Sequence, residues 1–100
     1  MVKPRKRETH VFRLFVAGNE SNSVQARENL ARLCEEHITG RYRIDTVDVL
    51  KDAASAYRNH VLVTPTLIQV KPLPAVTVFG NLNDARQVLA ALRLKCPPPR

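Results

Sequence analysis

Apolar residues change period along the chain, and the changes divide it into seven segments. "HVFRLFVAG", His10 to Gly18, is an almost unbroken apolar run of β-branched and aromatic residues bounded by Gly18-Asn19. That pattern predicts a central strand covered on both faces. "NSVQARENLARLCEEHI", Asn22 to Ile38, switches to helical spacing. Ala26, Leu30, Leu33 and Cys34 fall on one stripe, flanked by Val24, Ala31 and Ile38, while Gln25, Glu28, Asn29, Arg32, Glu35 and Glu36 share the other side. Asn22 is the predicted cap, with Gln25 at capping-box spacing. Arg27 and His37 interrupt the apolar side; Arg27 is long enough to snorkel, and His37 stands near the helix C-terminus. "YRIDTVDVL", Tyr42 to Leu50, predicts a second strand, with a slip in alternation between Ile44 and Val47 that suggests a bulge.

The second half is more broken. Lys51 to His60 predicts a short helix capped by Asp52. Thr66 to Lys71 predicts a third strand, preceded by Thr64-Pro65. Pro65 lacks the N–H that a central strand needs, so it marks the strand's start. "PLP" predicts a tight link to a fourth strand, Ala75 to Gly80, which makes those two an antiparallel hairpin. Asn83 to Lys95 predicts a terminal helix capped by Asn83, with Ala85, Val88, Leu89 and Leu92 as its stripe. A strand, a long helix and a strand form a right-handed βαβ unit. The order β-α-β-α-β-β-α is the thioredoxin-like topology, an α/β fold with a four-stranded mixed sheet and helices on both faces.

One hundred residues make one domain, here placed at 10–95, between a basic flexible tail at 1–9 and a Pro-rich end at 96–100. The net charge of +7 invites a nucleic-acid reading. Its distribution argues otherwise: Lys3, Arg5, Lys6 and Arg7 cluster at one terminus, and no aromatic platform or zinc-ligand spacing accompanies them. No run approaches the ~18–20 apolar residues of a membrane span, and "VFRLFVAG" is a poor signal-peptide core. The expectation is a cytoplasmic protein with no membrane or specific nucleic-acid partner.

A thioredoxin needs a reactive cysteine at the start of its first helix, where a helix N-terminus lowers the thiol pKa. Here that loop is "AGNESNSV", Ala17 to Val24, and it carries no cysteine. Ser21 and Ser23 have no base placed to activate them. Cys34 reads as a small buried hydrophobe, and Cys96, beside Pro97, as an exposed thiol without an assigned role. His10, His37 and His60 have no metal-ligand spacing. Asp45 and Asp48 fall on opposite faces of their strand and make no acid/base pair. The expectation is a protein that is not an enzyme and has no cofactor.

The same residues resemble a family. "LFVAGNESNSVQARENL", "YRIDTVDVLKD" and "VLVTPTLIQVKPLPAVTVFGNLNDARQVLAAL" are similar to the corresponding stretches of the KaiB family of circadian clock proteins, across about residues 10–94. The resemblance implies an adaptor that docks on the ring of a KaiC-like hexameric ATPase, with KaiA or a clock-output histidine kinase as further partners. It also implies a tetrameric or dimeric ground state and a fold that switches in its C-terminal half. Prolines in that half, Pro65, Pro72 and Pro74, suit slow isomerisation-linked exchange. Partner-facing candidates are Arg43, Asp45, Lys51, Arg58 and His60. The chain departs from the family pattern at Ala91 and Arg93, where glycine and aspartate are common, and this favours the terminal helix. It departs again at Arg27, an apolar family position, and at Gln25, Asp45 and His60, where basic residues are expected. It also lacks the acidic tail. A paralogue with another partner, outside a clock, is the alternative; a thioredoxin-like redox protein is a third.

Overall fold

The structure, a computed structural model, describes residues 9–94. The basic segment before Thr9, together with Lys95, Cys96 and the Pro-rich end, lies outside the described residues. The elements are β1 (His10–Val16), α1 (Ser21–His37), β2 (Tyr42–Asp48), α2 (Ala53–Arg58), β3 (Thr66–Lys71), β4 (Val76–Phe79) and α3 (Ala85–Leu92). The sheet order is β2-β1-β3-β4. β1 runs parallel to β2 and antiparallel to β3, and β3 runs antiparallel to β4. This is the thioredoxin-like arrangement expected from the segment order.

β1 is central, and its apolar run is used on both faces. Phe12, Leu14 and Val16 point into a core closed by Ala26, Leu30, Leu33 and Cys34 of α1 and by Val88, Leu89 and Leu92 of α3. Val11 and Phe15 are buried on the opposite face. Arg13 shares that second face, and its guanidinium donates to Asn59 Oδ1 at the end of α2 (3.3 Å). A cation on a central strand is tolerated because α2, only six residues long, leaves part of this face open to water.

Several local expectations are corrected. The cap of α1 is Glu20, not Asn22: its carboxylate accepts from the N–H groups of Asn22 (3.1 Å) and Ser23 (3.0 Å). Glutamate has the reach to take both orphan donors, and that frees the Asn22 and Gln25 side chains for other partners. The cap of α3 is Asp84, whose Oδ1 accepts from Gln87 N–H; Asn83 instead turns its N–H onto Asn81 Oδ1. Asp52 caps α2 as expected. The β1–β2 register is continuous, so β2 carries no bulge. The irregularity lies on β3, where Val11 and Phe12 pair with Lys71 and Gln69 and skip Val70.

α3 ends at Leu92, short of the expected Lys95. Arg93 takes a left-handed conformation (φ 60°). Its N–H bonds Ala90 O, while Leu94 N–H bonds Leu89 O (2.9 Å), the two bonds of a Schellman ending. Arg93 therefore lies past the helix and not in its last turn. The expected gain from a cation on the helix dipole is replaced by the cost of an L-residue at positive φ.

Candidate functional site

The loops that meet at the C-terminal ends of β1 and β2 are fixed by three side chains. Asp48 Oδ1 accepts from the N–H groups of Gly18 and Leu50, each at 3.0 Å. Those two hydrogen bonds, led by the one from Leu50, hold its carboxyl below the ordinary carboxylate range. Gly18 has φ +53°, the left-handed region that favours glycine; a Cβ there would stand 3.2 Å from Leu50 Cδ1, a contact that the exposed leucine tip can relieve. Ser23 is fully buried; its hydroxyl accepts from Ala17 N–H (3.0 Å) and donates to Glu20 Oε1 (3.2 Å). Arg27 reaches back to Gly18 O and Asn19 Oδ1. Its position on the apolar side of α1 is thus explained by a loop-bracing role.

This loop is the place where a thioredoxin carries its reactive thiol. Here its polar groups are spent on one another. Cys34 lies a helix length away in the core, where burial pushes its thiol up to about 12. At neutral pH it is no thiolate nucleophile. Among the described residues no group of three or more His, Cys, Asp or Glu could hold a metal ion, and no helix is long and apolar enough to cross a membrane.

The surface that stands out is on the opposite side of the sheet, around α2. Leu50, Tyr57, Leu62 and Val63 are 73%, 84%, 92% and 53% exposed. Large apolar side chains in one neighbourhood are a recognised mark of an interaction site. Two shallow cavities adjoin there. One of about 350 Å³ is lined by Tyr57, Arg58, His60, Val61 and Leu62. The other, of about 290 Å³, reaches from Val49, Ala53 and Ala56 to Val63 and Thr64.

The five partner-facing candidates divide over this face. Arg58 and His60 sit at the cavity beside Tyr57. His60 has a left-handed backbone (φ 59°) that turns the chain out of α2. Arg43 and Asp45 are neighbours on β2, joined by an ion pair of 3.1 Å, and Asp45 pairs with Arg13 across the strands. Lys51 stands in the turn before α2, near the Asp48 carboxylate it helps to keep ionised. The apolar members of the surface, Leu50, Tyr57, Leu62 and Val63, belong to no pattern that the sequence marks as a binding site.

Behind the exposed loop, Pro65 and Thr66 are buried. Thr66 Oγ1 donates to Val63 O, and Pro65 O accepts from Gly80 N–H. The Thr64-Pro65, Lys71-Pro72 and Leu73-Pro74 bonds are cis. Pro72 and Pro74 frame the turn from β3 to β4, and Ala91 lies inside α3.

The KaiB domain model matches residues 13–94. The chain belongs to the KaiB family. It is 41% identical over 93 residues to the circadian clock oscillator protein KaiB of Synechococcus elongatus, covering 93% of this chain and 89% of that one. It is likewise 41% identical over 88 residues to KaiB of Microcystis aeruginosa, covering 88% and 85%. Among solved structures, the N-terminal domain of Synechococcus elongatus SasA superposes with a TM-score of 0.71 at 18% identity, over 93% of this chain and 92% of that one. Chloroplastic thioredoxin z superposes with a TM-score of 0.70 at 21% identity, over 87% and 79%. At such identities these two likenesses establish the fold alone. The KaiB relatives carry the name of a clock protein and not of an oxidoreductase, in keeping with a first loop without cysteine.

Proposed function

We propose that this KaiB-family chain is a non-enzymatic, cytoplasmic adaptor that docks on the ATPase ring of a KaiC-like hexamer and regulates circadian or stress timing. The observation that carries this reading is the exposed apolar surface of α2 and its following loop, rimmed by Lys51, Arg58 and His60. The relatives' name supplies the context. Tyrosine and arginine beside a shallow apolar cavity are the residue types that dominate protein–protein binding energy. The Lys51 and Arg58 cations at the rim suit a partner surface that is apolar at its centre and acidic at its edge. The thioredoxin-like arrangement is the binding form; a switch of fold in the second half, with Pro65, Pro72, Pro74, Ala91 and Arg93 as its determinants, is the accompanying proposal.

A second reading is favoured by Gln25 and Asp45. Both are engaged within the chain, Gln25 by Asn81 and Asp45 by Arg43. The partner-facing surface is thus altered from the basic pattern that the family resemblance implies. A paralogue that binds its own KaiC-like ATPase without KaiA or an output kinase as further partners fits this difference.

Size-exclusion chromatography with light scattering tests the docking on the ATPase that both readings share. The chain is run alone, then with the KaiC homologue of the same genome and ATP. Co-elution as a ring complex supports the adaptor. Absence of a complex, with a folded chain and a competent ATPase, overturns it.

A further inference from the structure

The two edges of the sheet are guarded differently. β2 is seven residues long and carries Arg43, Asp45 and Asp48. β4, Val76–Phe79, carries no charge. Charged side chains are the usual protection of a strand edge, and the sequence from Pro72 to Asn83 holds none. Thr77 and Phe79 are both exposed, Phe79 by 65%. Among the described residues no strand lies beyond β4.

The register tells which backbone groups that edge presents. Gly80 N–H donates to Pro65 O (3.0 Å), and the β3–β4 ladder continues from that pair as Thr66↔Phe79, Leu67↔Val78 and Ile68↔Thr77. Bonded and non-bonded pairs alternate in an antiparallel ladder, so Gly80, Val78 and Val76 turn their peptide groups toward β3. Thr77 and Phe79 turn theirs away from the sheet. Their N–H and C=O groups have no hydrogen-bond partner among the described residues.

A second copy of the same edge is its complement. In a two-fold antiparallel pairing centred on Val78, Thr77 stands opposite Phe79 of the second copy, and Phe79 opposite its Thr77. Each such pair exchanges two hydrogen bonds, so every outward group of Thr77 and Phe79 is satisfied in both copies. Each ring also meets a β-branched threonine across the strands, a favourable cross-strand pair. The contact opposes no like charges, which matters for a chain of net charge +7.

We propose that β4 is a self-association edge, through which the four-stranded sheets of two copies of this chain join into one continuous sheet. This does not depend on the adaptor reading.

Sedimentation equilibrium and amide hydrogen exchange test it on the full chain, from low micromolar to millimolar concentration. A monomer–dimer equilibrium is expected. The Thr77 and Phe79 N–H groups are expected to exchange fast in dilute solution and about tenfold slower where the dimer predominates. Those of Val76 and Val78, already bonded to β3, are expected to change little. Two double variants test the register. Thr77→Lys with Phe79→Lys sets cations opposite one another and is expected to weaken the dimer about tenfold. Thr77→Lys with Phe79→Glu sets cation against anion and is expected to restore most of the association. Both sites are exposed, so both variants are expected to keep the monomer fold, as circular dichroism in dilute solution checks. If either does not, the exchange pattern of the unaltered chain still decides. A chain that stays monomeric at millimolar concentration overturns the proposal. So does a dimer in which Thr77 and Phe79 exchange at rates independent of concentration, or one that both double variants weaken equally.

Discussion

The two halves of the chain are built differently. The first, β1–α1–β2, has a 17-residue helix capped by Glu20 and a central strand buried along most of its length. The second, α2–β3–β4–α3, has helices of six and eight residues and a four-residue edge strand. All three left-handed non-glycine residues among the described residues, His60, Leu82 and Arg93, lie in the second half. The exposed apolar side chains around α2 lie there too, Leu50 excepted, which stands at the boundary. The first half thus works as a scaffold. The second half carries less burial per residue, more strain and the open surface, which is the division expected when a rigid unit supports a segment that binds or rearranges.

Truncation of the scaffold should have the largest effect. Phe12→Ala removes a fully buried ring from the middle of β1 and is expected to cost about 3–5 kcal/mol, with both halves melting together. Urea denaturation followed by circular dichroism reads this. A loss below about 1 kcal/mol would remove β1 from its place as the centre of the scaffold. Next comes Tyr57→Ala on the open surface. It is expected to leave stability within about 0.5 kcal/mol while weakening ATPase binding about tenfold or more. A parallel loss of stability would mean that Tyr57 is part of the fold and not of a docking surface.

Ala91→Gly is expected to destabilise α3 by about 1 kcal/mol, seen as loss of helical chemical shifts at 85–92 with those of α1 unchanged. Acid should give the smallest effect, and it should fall on the scaffold side. Hydrogen bonds from Asn22 and then Ser23 lower the Glu20 pKa, and those from Leu50 and Gly18 lower that of Asp48. A carboxylate depressed on folding stabilises above its unfolded pKa, about 4, and loses that contribution as pH falls through the folded value. Stability is therefore expected to decline below about pH 4, and Glu20→Gln to flatten the decline. An unchanged acid limb in Glu20→Gln would remove the cap from the account.

The strand and helix pattern was legible because burial imposes it. The continuous apolar run of β1 requires two covered faces, and the stripe of α1 requires one. The position of Pro65 marked the start of β3 for a simple chemical reason, its missing N–H. Caps were less legible, because Glu20 competes by side-chain length against residues with better average propensity. The end of α3 was missed because arginine rarely adopts the left-handed conformation found at Arg93. The candidate surface was half legible. Its polar rim, Lys51, Arg58 and His60, entered through the family resemblance and not through any local pattern. Its apolar centre did not stand out, since nothing in the spacing of Leu50, Tyr57, Leu62 and Val63 separates them from core residues. Tyr57 faces outward from α2, and Leu50, Leu62 and Val63 stand in the turns on either side of it, so none is carried into the core. The hydrogen bonds from Asn81 to Asn22 and Gln25 join residues more than fifty positions apart in sequence, and no local pattern announces them.

The most direct test of the docking surface is a titration of the same-genome KaiC-type ATPase, with ATP, against the wild-type chain and Leu62→Asp. Leu62 is almost fully exposed, so the substitution leaves the fold intact and places an anion at the centre of the apolar surface. The account expects tight binding by the wild type and a loss of at least tenfold in Leu62→Asp at unchanged thermal stability. Equal binding by the two chains would contradict it and move the interface away from α2.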